Sequence, residues 1–259
     1  MTSLYKSDDF TPEFFREYSK FKHGSKTQAR ELGRSVSNAI SFEKHKGKTL
    51  VFYPAPCNNI PTASHAFQDY FLGFCAKQFM NLNIKVKTGK IARQYSYDEE
   101  YSLMTAEERL SKISDDMLHI DKSVFSPDDV LVFVDDIRIT GSHEHHIKQL
   151  IKKENIQNEC IFIYIAEYTG QDPTIENRLN SRSVGCLKDV NDIIRNEEFI
   201  FNTRVVKYIL KSDIEHFVSF ITYQSDSFRQ TLYALSILND YHINTKYKNN
   251  FEILKNLID

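Results

Sequence analysis

Apolar and polar positions follow two rhythms along this chain. Over Thr27–Ile40, residues Ala29, Leu32, Val36, Ala39 and Ile40 recur at helical spacing. The polar stretch Phe42–Lys48 leads into a short β-type run at Thr49–Tyr53. Pro54-Ala55-Pro56-Cys57-Asn58-Asn59 stops that run, because proline removes ladder donors and fixes φ. A helix is predicted from Pro61 or Thr62 to Asn81, with Ala66, Tyr70, Phe71, Phe74, Cys75 and Phe79 on its apolar face. Ile84–Lys87 reads as a second strand, extendable to Ile91. Val130–Val134 and Cys160–Ala166 are unbroken apolar runs, the pattern of strands buried on both faces, and Ser142–Lys153 between them reads as a helix. Asp172-Pro173 opens a helix through Leu179 with Asp172 as N-cap, and Val184–Leu187 reads as a weaker strand. Strands alternating with helices predict right-handed βαβ units and an α/β fold around a mainly parallel sheet.

The first forty residues look helical, and the last seventy also have helical periodicity, over Val205–Tyr223, Phe228–Leu238 and Phe251–Ile258. The expected organisation is an α/β domain over 1–188 and a helical C-terminal extension over 189–259. Between the second and third strands lies Gln94–Ile113, polar and charged, with Tyr95, Tyr97 and Tyr101 and a helical piece near Ala106–Ile113. A segment this long between core elements is more often functional than inert.

Composition removes several classes. The 259 residues include only 8 Gly and 6 Pro. No two glycines stand two apart, so there is no GxGxxG fingerprint. Gly47-Lys48-Thr49 mimics the end of a P-loop, but Phe42 stands where its first Gly belongs. The net charge of −2 gives no global basic field, and no nucleic-acid partner is expected. Apolar runs such as Cys160–Ala166 are far short of the roughly 20 residues needed to span a bilayer. Met1–Lys20 is polar and charged, so neither signal peptide nor membrane partner is expected. Cys57, Cys75, Cys160 and Cys186 form no CxxC pair and read as reduced thiols of a cytoplasmic protein.

The chemistry concentrates in Leu131-Val132-Phe133-Val134-Asp135-Asp136-Ile137-Arg138-Ile139-Thr140-Gly141-Ser142. This is a buried strand, two adjacent carboxylates, and a Thr-Gly-Ser turn that opens a helix. Ligands in α/β sheets sit at the carboxyl ends of strands. Gly141 allows a tight bend and close backbone approach. The first amides of the following helix lack intrahelical partners and suit an anion such as phosphate. Asp135 and Asp136 would repel phosphate and suit a polyol or a metal-bound group. Together these parts describe a site for a sugar phosphate. A Walker B strand also ends in acids, but it needs a P-loop, which is absent.

This segment resembles the signature of type I phosphoribosyltransferases: four apolar residues, two acids, an apolar residue, two variable ones, then Thr-Gly and a small residue. Every position matches. The resemblance implies that Asp135 and Asp136 bond the ribose hydroxyls of 5-phosphoribosyl-1-pyrophosphate (PRPP). It implies that Ile137, Arg138, Ile139, Thr140, Gly141 and Ser142 enclose the 5′-phosphate, and that Mg²⁺ enters with PRPP, with Asp135 and Asp136 as candidate contacts. Arg93, the loop from Gln94, and Glu107-Glu108-Arg109 stand in the order of the ComF-like branch. The chain looks closest to members found beside tellurium-resistance and stress genes. The resemblance covers roughly 20–190 and leaves the tail from about Asp189 unexplained.

The departures from the pattern matter too. The family's pyrophosphate loop often carries Gly with Arg or Lys, whereas Pro54–Asn59 has neither. Pro56, Cys57, Asn58 and Asn59 remain candidate pyrophosphate contacts, with Lys90 and catalytic Arg93 supplying positive charge. In 6-oxopurine enzymes an Asp precedes the Thr-Gly; Ile139 stands here, which disfavours guanine or hypoxanthine. Gln94–Ile113 would serve as a lid.

Other residues have plainer readings. His143, His145 and His146 beside Glu144 read as a solvated helix start rather than zinc ligands, with His143 near enough to touch a bound phosphate. Cys57 reads as a packed thiol. Phe199, Phe201 and Arg204 stand where family members contact the acceptor, but read as core or surface. The stripe Phe228, Leu232, Leu235, Leu238 reads as packing, internal or between two copies in a homodimer. Three functions are therefore carried forward: a Mg²⁺-dependent phosphoribosyltransferase with an unidentified nitrogen acceptor, a PRPP-binding regulatory protein without catalysis, and an interaction protein working through its helical tail.

Overall fold

The computed structural model describes residues 2–93, 118–172 and 174–258. Expectations for Gln94–Ile113, including Tyr95, Tyr97, Tyr101 and Glu107-Glu108-Arg109, lie outside the described residues, as does Pro173. The chain forms two compact units. One comprises Met1–Asp9, Arg30–Asn58 and Ser64–Gln171; the other comprises Phe10–Ala29, Asn59–Ala63 and Asp172–Asp259. This division differs from a boundary after residue 188, since two early segments cluster with the C-terminal helices.

The first unit is built on five parallel strands: β1 (Thr2–Ser7), β2 (Thr49–Pro54), β3 (Lys85–Thr88), β6 (Val130–Arg138) and β7 (Cys160–Tyr168), in the order β1-β7-β6-β2-β3. The central strands are apolar because both faces are covered. Leu50 and Phe52 of β2 belong to one side, where Phe42, Phe52, Phe71 and Phe79 form a ring cluster. Val51 and Tyr53 belong to the other, with Leu131, Phe133, Ile147 and Leu150. Helix α2 (Lys26–Ala39) begins in the second unit and enters this one, which also holds α3 (Ala63–Asn81) and α4 (Ser142–Lys153). The parallel sheet predicted from the alternating rhythm is therefore present.

Several local expectations differ. The first forty residues are not all helical: Thr2–Ser7 is a strand paired with β7, Thr2 opposite Ile163. A partner so distant in sequence leaves no local periodic signal. The second strand does not run on to Ile91. Gly89 lies against Tyr53, where an added Cβ would come within 2.2 Å of the ring. Beyond it, β4 (Ile91–Arg93) pairs antiparallel with β5 (Leu118–Ile120) in a separate two-stranded sheet.

The second unit holds α1 (Pro12–Lys22), α5 (Ile175–Ser181), α6 (Leu187–Asn196), α7 (Thr203–Lys211), α8 (Ile214–Thr222), α9 (Asp226–Leu238) and α10 (Lys248–Asn256). Its core joins Val190, Val205, Ile209, Phe217 and Leu232. Val184–Leu187 is not a strand: the Asp189 carboxylate accepts from the Gly185 and Cys186 amides at 2.8 and 2.9 Å and caps α6. Val205–Tyr223 is two helices, because Asn250 Nδ2 donates to the carbonyls of Leu210 and Ser212 and satisfies the end of α7. Thr174, not Asp172, is the N-cap position of α5; Asp172 instead accepts from the Thr174 amide and pairs with Arg178 at 2.8 Å. In α9, Phe228 and Leu232 are buried and Leu235 packs beside them, while Leu238 is exposed. No helix among the described residues is long and apolar enough to cross a membrane.

Candidate functional site

Sheet topology selects one crevice. The connection after β2 leads through α3 to β3, at one edge. The connection after β6 leads through α4 to β7, in the opposite direction. Neighbouring strands whose chains depart in opposite directions leave a gap at their carboxyl ends, where ligands of open α/β sheets sit. The two loops singled out in the sequence flank this gap. A small cavity there is lined by Tyr53, Pro56, Asp135, His143, Glu144 and Tyr164, among others.

The acids lie within β6, not after it. β2 ends at Pro54, opposite Val134, while β6 continues along β7 to Arg138, opposite Glu167. Asp135 and Asp136 alternate across the strand. Asp135 faces the cavity, and one of its oxygens accepts from the Asp136 amide at 2.8 Å. Asp136 is buried and accepts from the Ile137 amide at 2.7 Å. Next comes the turn Ile139-Thr140-Gly141. Gly141 has φ +74°, the left-handed region that favours glycine, and leads into α4. Thr140 and Ser142 hydroxyls are 2.7 Å apart, and the Ser142 amide donates to Thr140 Oγ1 at 3.3 Å.

His143 and Glu144 carry interactions that the motif does not announce. His143 Nδ1 is 2.5 Å from Asp135 Oδ2. Burial pulls this imidazole down, but the Asp135 carboxylate outweighs it and holds its pKa above the ordinary value. Arg93 opposes that rise, so it lies within electrostatic reach of the pair. The expected solvated histidine cluster is corrected: His145 is exposed, His146 is buried and His143 is paired. Glu144 is buried beneath Arg138, Lys148 and the Tyr164 hydroxyl, which hold its carboxyl below the usual range against the upward push of burial. An acidic residue in the first turn after Gly141 was the visible signal of this network.

The loop after β2 is tied down mainly through its backbone. The Ala55 amide donates to Ser64 Oγ at 3.1 Å. The Cys57 amide donates to the Ile91 carbonyl at 3.3 Å, and the Cys57 carbonyl accepts from the Arg93 amide at 2.9 Å. Lys90 Nζ donates to the Asn58 carbonyl at 2.5 Å. The structure thus brings Lys90 and Arg93 beside Cys57 and Asn58, though they are far apart in sequence. Cys57 is buried with Sγ 3.5 Å from His65 Nε2, and burial pushes its thiol up, as suits a packed thiol. Asn59 belongs to the second unit: its amide donates to Asn239 Oδ1 at 3.1 Å, and its side chain donates to the Leu238 carbonyl. Also in that unit, Phe199 and Phe201 pack on Phe228, with ring centroids 5.9 and 4.7 Å from it.

The PRTase ComF-like family model matches residues 1–254, and the chain belongs to that family. The match runs through the helical tail, well beyond the 20–190 expected from the motifs. No curated protein matches the chain. Solved structures similar to it include a hypoxanthine phosphoribosyltransferase from Staphylococcus aureus in two space groups. The orthorhombic form is 12% identical, covers 62% of this chain and 77% of its own, and has a TM-score of 0.31. The tetragonal form is 10% identical, covers 56% and 74%, and has a TM-score of 0.33. The chain is therefore an α/β protein of the phosphoribosyltransferase class with a central parallel sheet.

Proposed function

We propose that this protein binds PRPP together with Mg²⁺ and transfers the 5-phosphoribosyl group to a small-molecule nitrogen nucleophile, releasing pyrophosphate in the cytoplasm. The observation that carries the reading is the uninterrupted run from Asp135 to Ser142: two acids near the end of β6, a left-handed glycine, then a helix start, with Asp135 in the sheet's crevice. Asp135, which faces the cavity, holds a ribose hydroxyl; the same role for Asp136, buried across the strand from it, rests on the family resemblance. The Ile137–Ser142 segment takes the 5′-phosphate on the first amides of α4. The bond from C1 to the pyrophosphate oxygen breaks as the acceptor nitrogen bonds to C1, and the acceptor loses its proton. Positive charge develops on the ribose, where the two carboxylates stabilise it. Lys90 and Arg93 offset negative charge on the departing pyrophosphate.

Asp135 and Asp136 would provide oxygen donors of the kind Mg²⁺ takes in company with substrate phosphates. Among the described residues no group of three or more His, Cys, Asp or Glu side chains is placed to hold a metal ion. Bound Mg²⁺ supplies charge neutralisation on the pyrophosphate. The lid role given to Gln94–Ile113 rests on residues outside those described. Ile139, where 6-oxopurine enzymes place an Asp, argues against guanine and hypoxanthine as acceptors.

A second reading is a PRPP-binding regulatory protein without turnover. It is favoured by the loop after β2, where Asn58 and Asn59 already hold intramolecular partners. Calorimetry with PRPP, with and without Mg²⁺, tests both. Binding is expected for the wild type and its loss for Asp135→Asn/Asp136→Asn; no wild-type binding sinks both readings. Pyrophosphate release across a panel of bases, amines and cell extract then separates enzyme from sensor.

A further inference from the structure

Arg138 stands near the end of β6, where the family resemblance counts it among the residues around the 5′-phosphate. Its guanidinium is already committed. Nε donates to Glu144 Oε2 at 3.0 Å and Nη1 to Glu167 Oε1 at 2.8 Å. Glu144 lies in the first turn of α4 and Glu167 near the end of β7, with side chains only 9% and 6% exposed. Each carboxylate has a further cation: Lys148 at 2.5 Å on Glu144 and Lys6 at 3.3 Å on Glu167. Tyr164 donates to Glu144 at 3.2 Å. The remaining edge of the guanidinium lies under the turn, where a Cβ on Gly141 would sit 3.0 Å from Nη2. The turn therefore lies close over the guanidinium, and glycine is required there by its φ of +74°. Reaching a phosphate with Nε or Nη1 would oblige Arg138 to leave a buried carboxylate, a costly exchange, and Nη2 is the edge turned to Gly141.

We propose that Arg138 is a positioning residue. Through Glu144 and Glu167 it fixes the first turn of α4 against the ends of β6 and β7, and it makes no contact with the phosphate itself. The amides after Gly141 are thereby aimed before the ligand arrives, which removes an ordering cost from binding. The planar fork of arginine suits this task, because it engages two carboxylates at once in a fixed geometry. The proposal rests on the PRPP reading of this turn.

Calorimetry on the full chain with ribose 5-phosphate, and separately with inorganic pyrophosphate, tests it. Arg138→Gln and Glu144→Gln are each expected to weaken ribose 5-phosphate binding about tenfold, since a small displacement of positioned groups has effects of at least this size. The double variant should bind no more weakly than the weaker single, because both break one unit. Pyrophosphate affinity should not change, an outcome that a general loss of structure would not give. Arg138→Lys keeps the charge without the fork and should behave like Arg138→Gln, which covers the case of a glutamine variant that does not fold. A direct phosphate contact predicts the reverse: Glu144→Gln binds as tightly or more tightly, and Arg138→Lys keeps most of the affinity. Either result overturns the proposal, as does unchanged affinity in every variant. Wild type that binds neither ligand overturns the PRPP reading itself and the proposal with it.

Discussion

The two loops that flank the crevice are built on opposite principles. The turn after β6 is held by side chains: Asp135 on His143, and Arg138 on Glu144 and Glu167, with a left-handed glycine between them. Pro54–Asn58 after β2 is held mainly through backbone groups, its amides and carbonyls shared with Ser64, Ile91, Arg93 and Lys90. A turn locked by a charge network has its geometry settled before a ligand enters. A loop locked through its own carbonyls presents acceptors, and it depends on the neighbouring Lys90 and Arg93 for positive charge. The contrast suggests that recognition of the sugar phosphate and handling of the leaving group are separable properties of this protein.

The contrast can be tested by breaking each side. The largest effect is expected from Gly141→Val, which places a branched side chain at φ +74° and against Arg138. It should destabilise the fold by about 1–3 kcal/mol in chemical denaturation and abolish ribose 5-phosphate binding. Retained binding would mean that the turn is not the phosphate site. Next comes Lys90→Ala/Arg93→Ala. If these cations serve the leaving group, pyrophosphate release should fall by about 10²-fold, as when a stabilising donor is removed. Ribose 5-phosphate affinity should hold, and an equal loss of both would merge the two loops into one function.

The smallest effect concerns pH. His143 has a raised folded pKa, whereas its unfolded value lies near 6.5. Its pairing with Asp135 therefore contributes stability that is complete below the unfolded value and is lost as pH rises through the folded one. Part of the side chain is exposed, so the gain is screened. Wild type should lose about 1–2 °C of Tm across that window relative to His143→Gln. Parallel profiles for the two proteins would remove the pair from the stability of the turn.

Much of this was legible in the residues. The apolar runs Val130–Val134 and Cys160–Ala166 announced buried parallel strands, because a strand covered on both faces has no polar side to display. Asp135-Asp136 and Thr140-Gly141 marked the candidate site, because their chemistry is local and their order is rigid. Pairings across the chain were not legible. Nothing near Thr2–Ser7 signals a partner at Ile163, and nothing near Ser212 signals that Asn250 will end the helix there.

The sequence by itself determined the class of fold, the buried strand that carries the acids, and the turn that needs a glycine, since each rests on local runs and spacings of residues. Only the tertiary structure decided that Lys90 and Arg93 lie beside the loop after β2, that His143 faces Asp135, and that Arg138 is held by two glutamates. Those outcomes depend on strand order and register, and both are set by packing between segments that have no local record of one another.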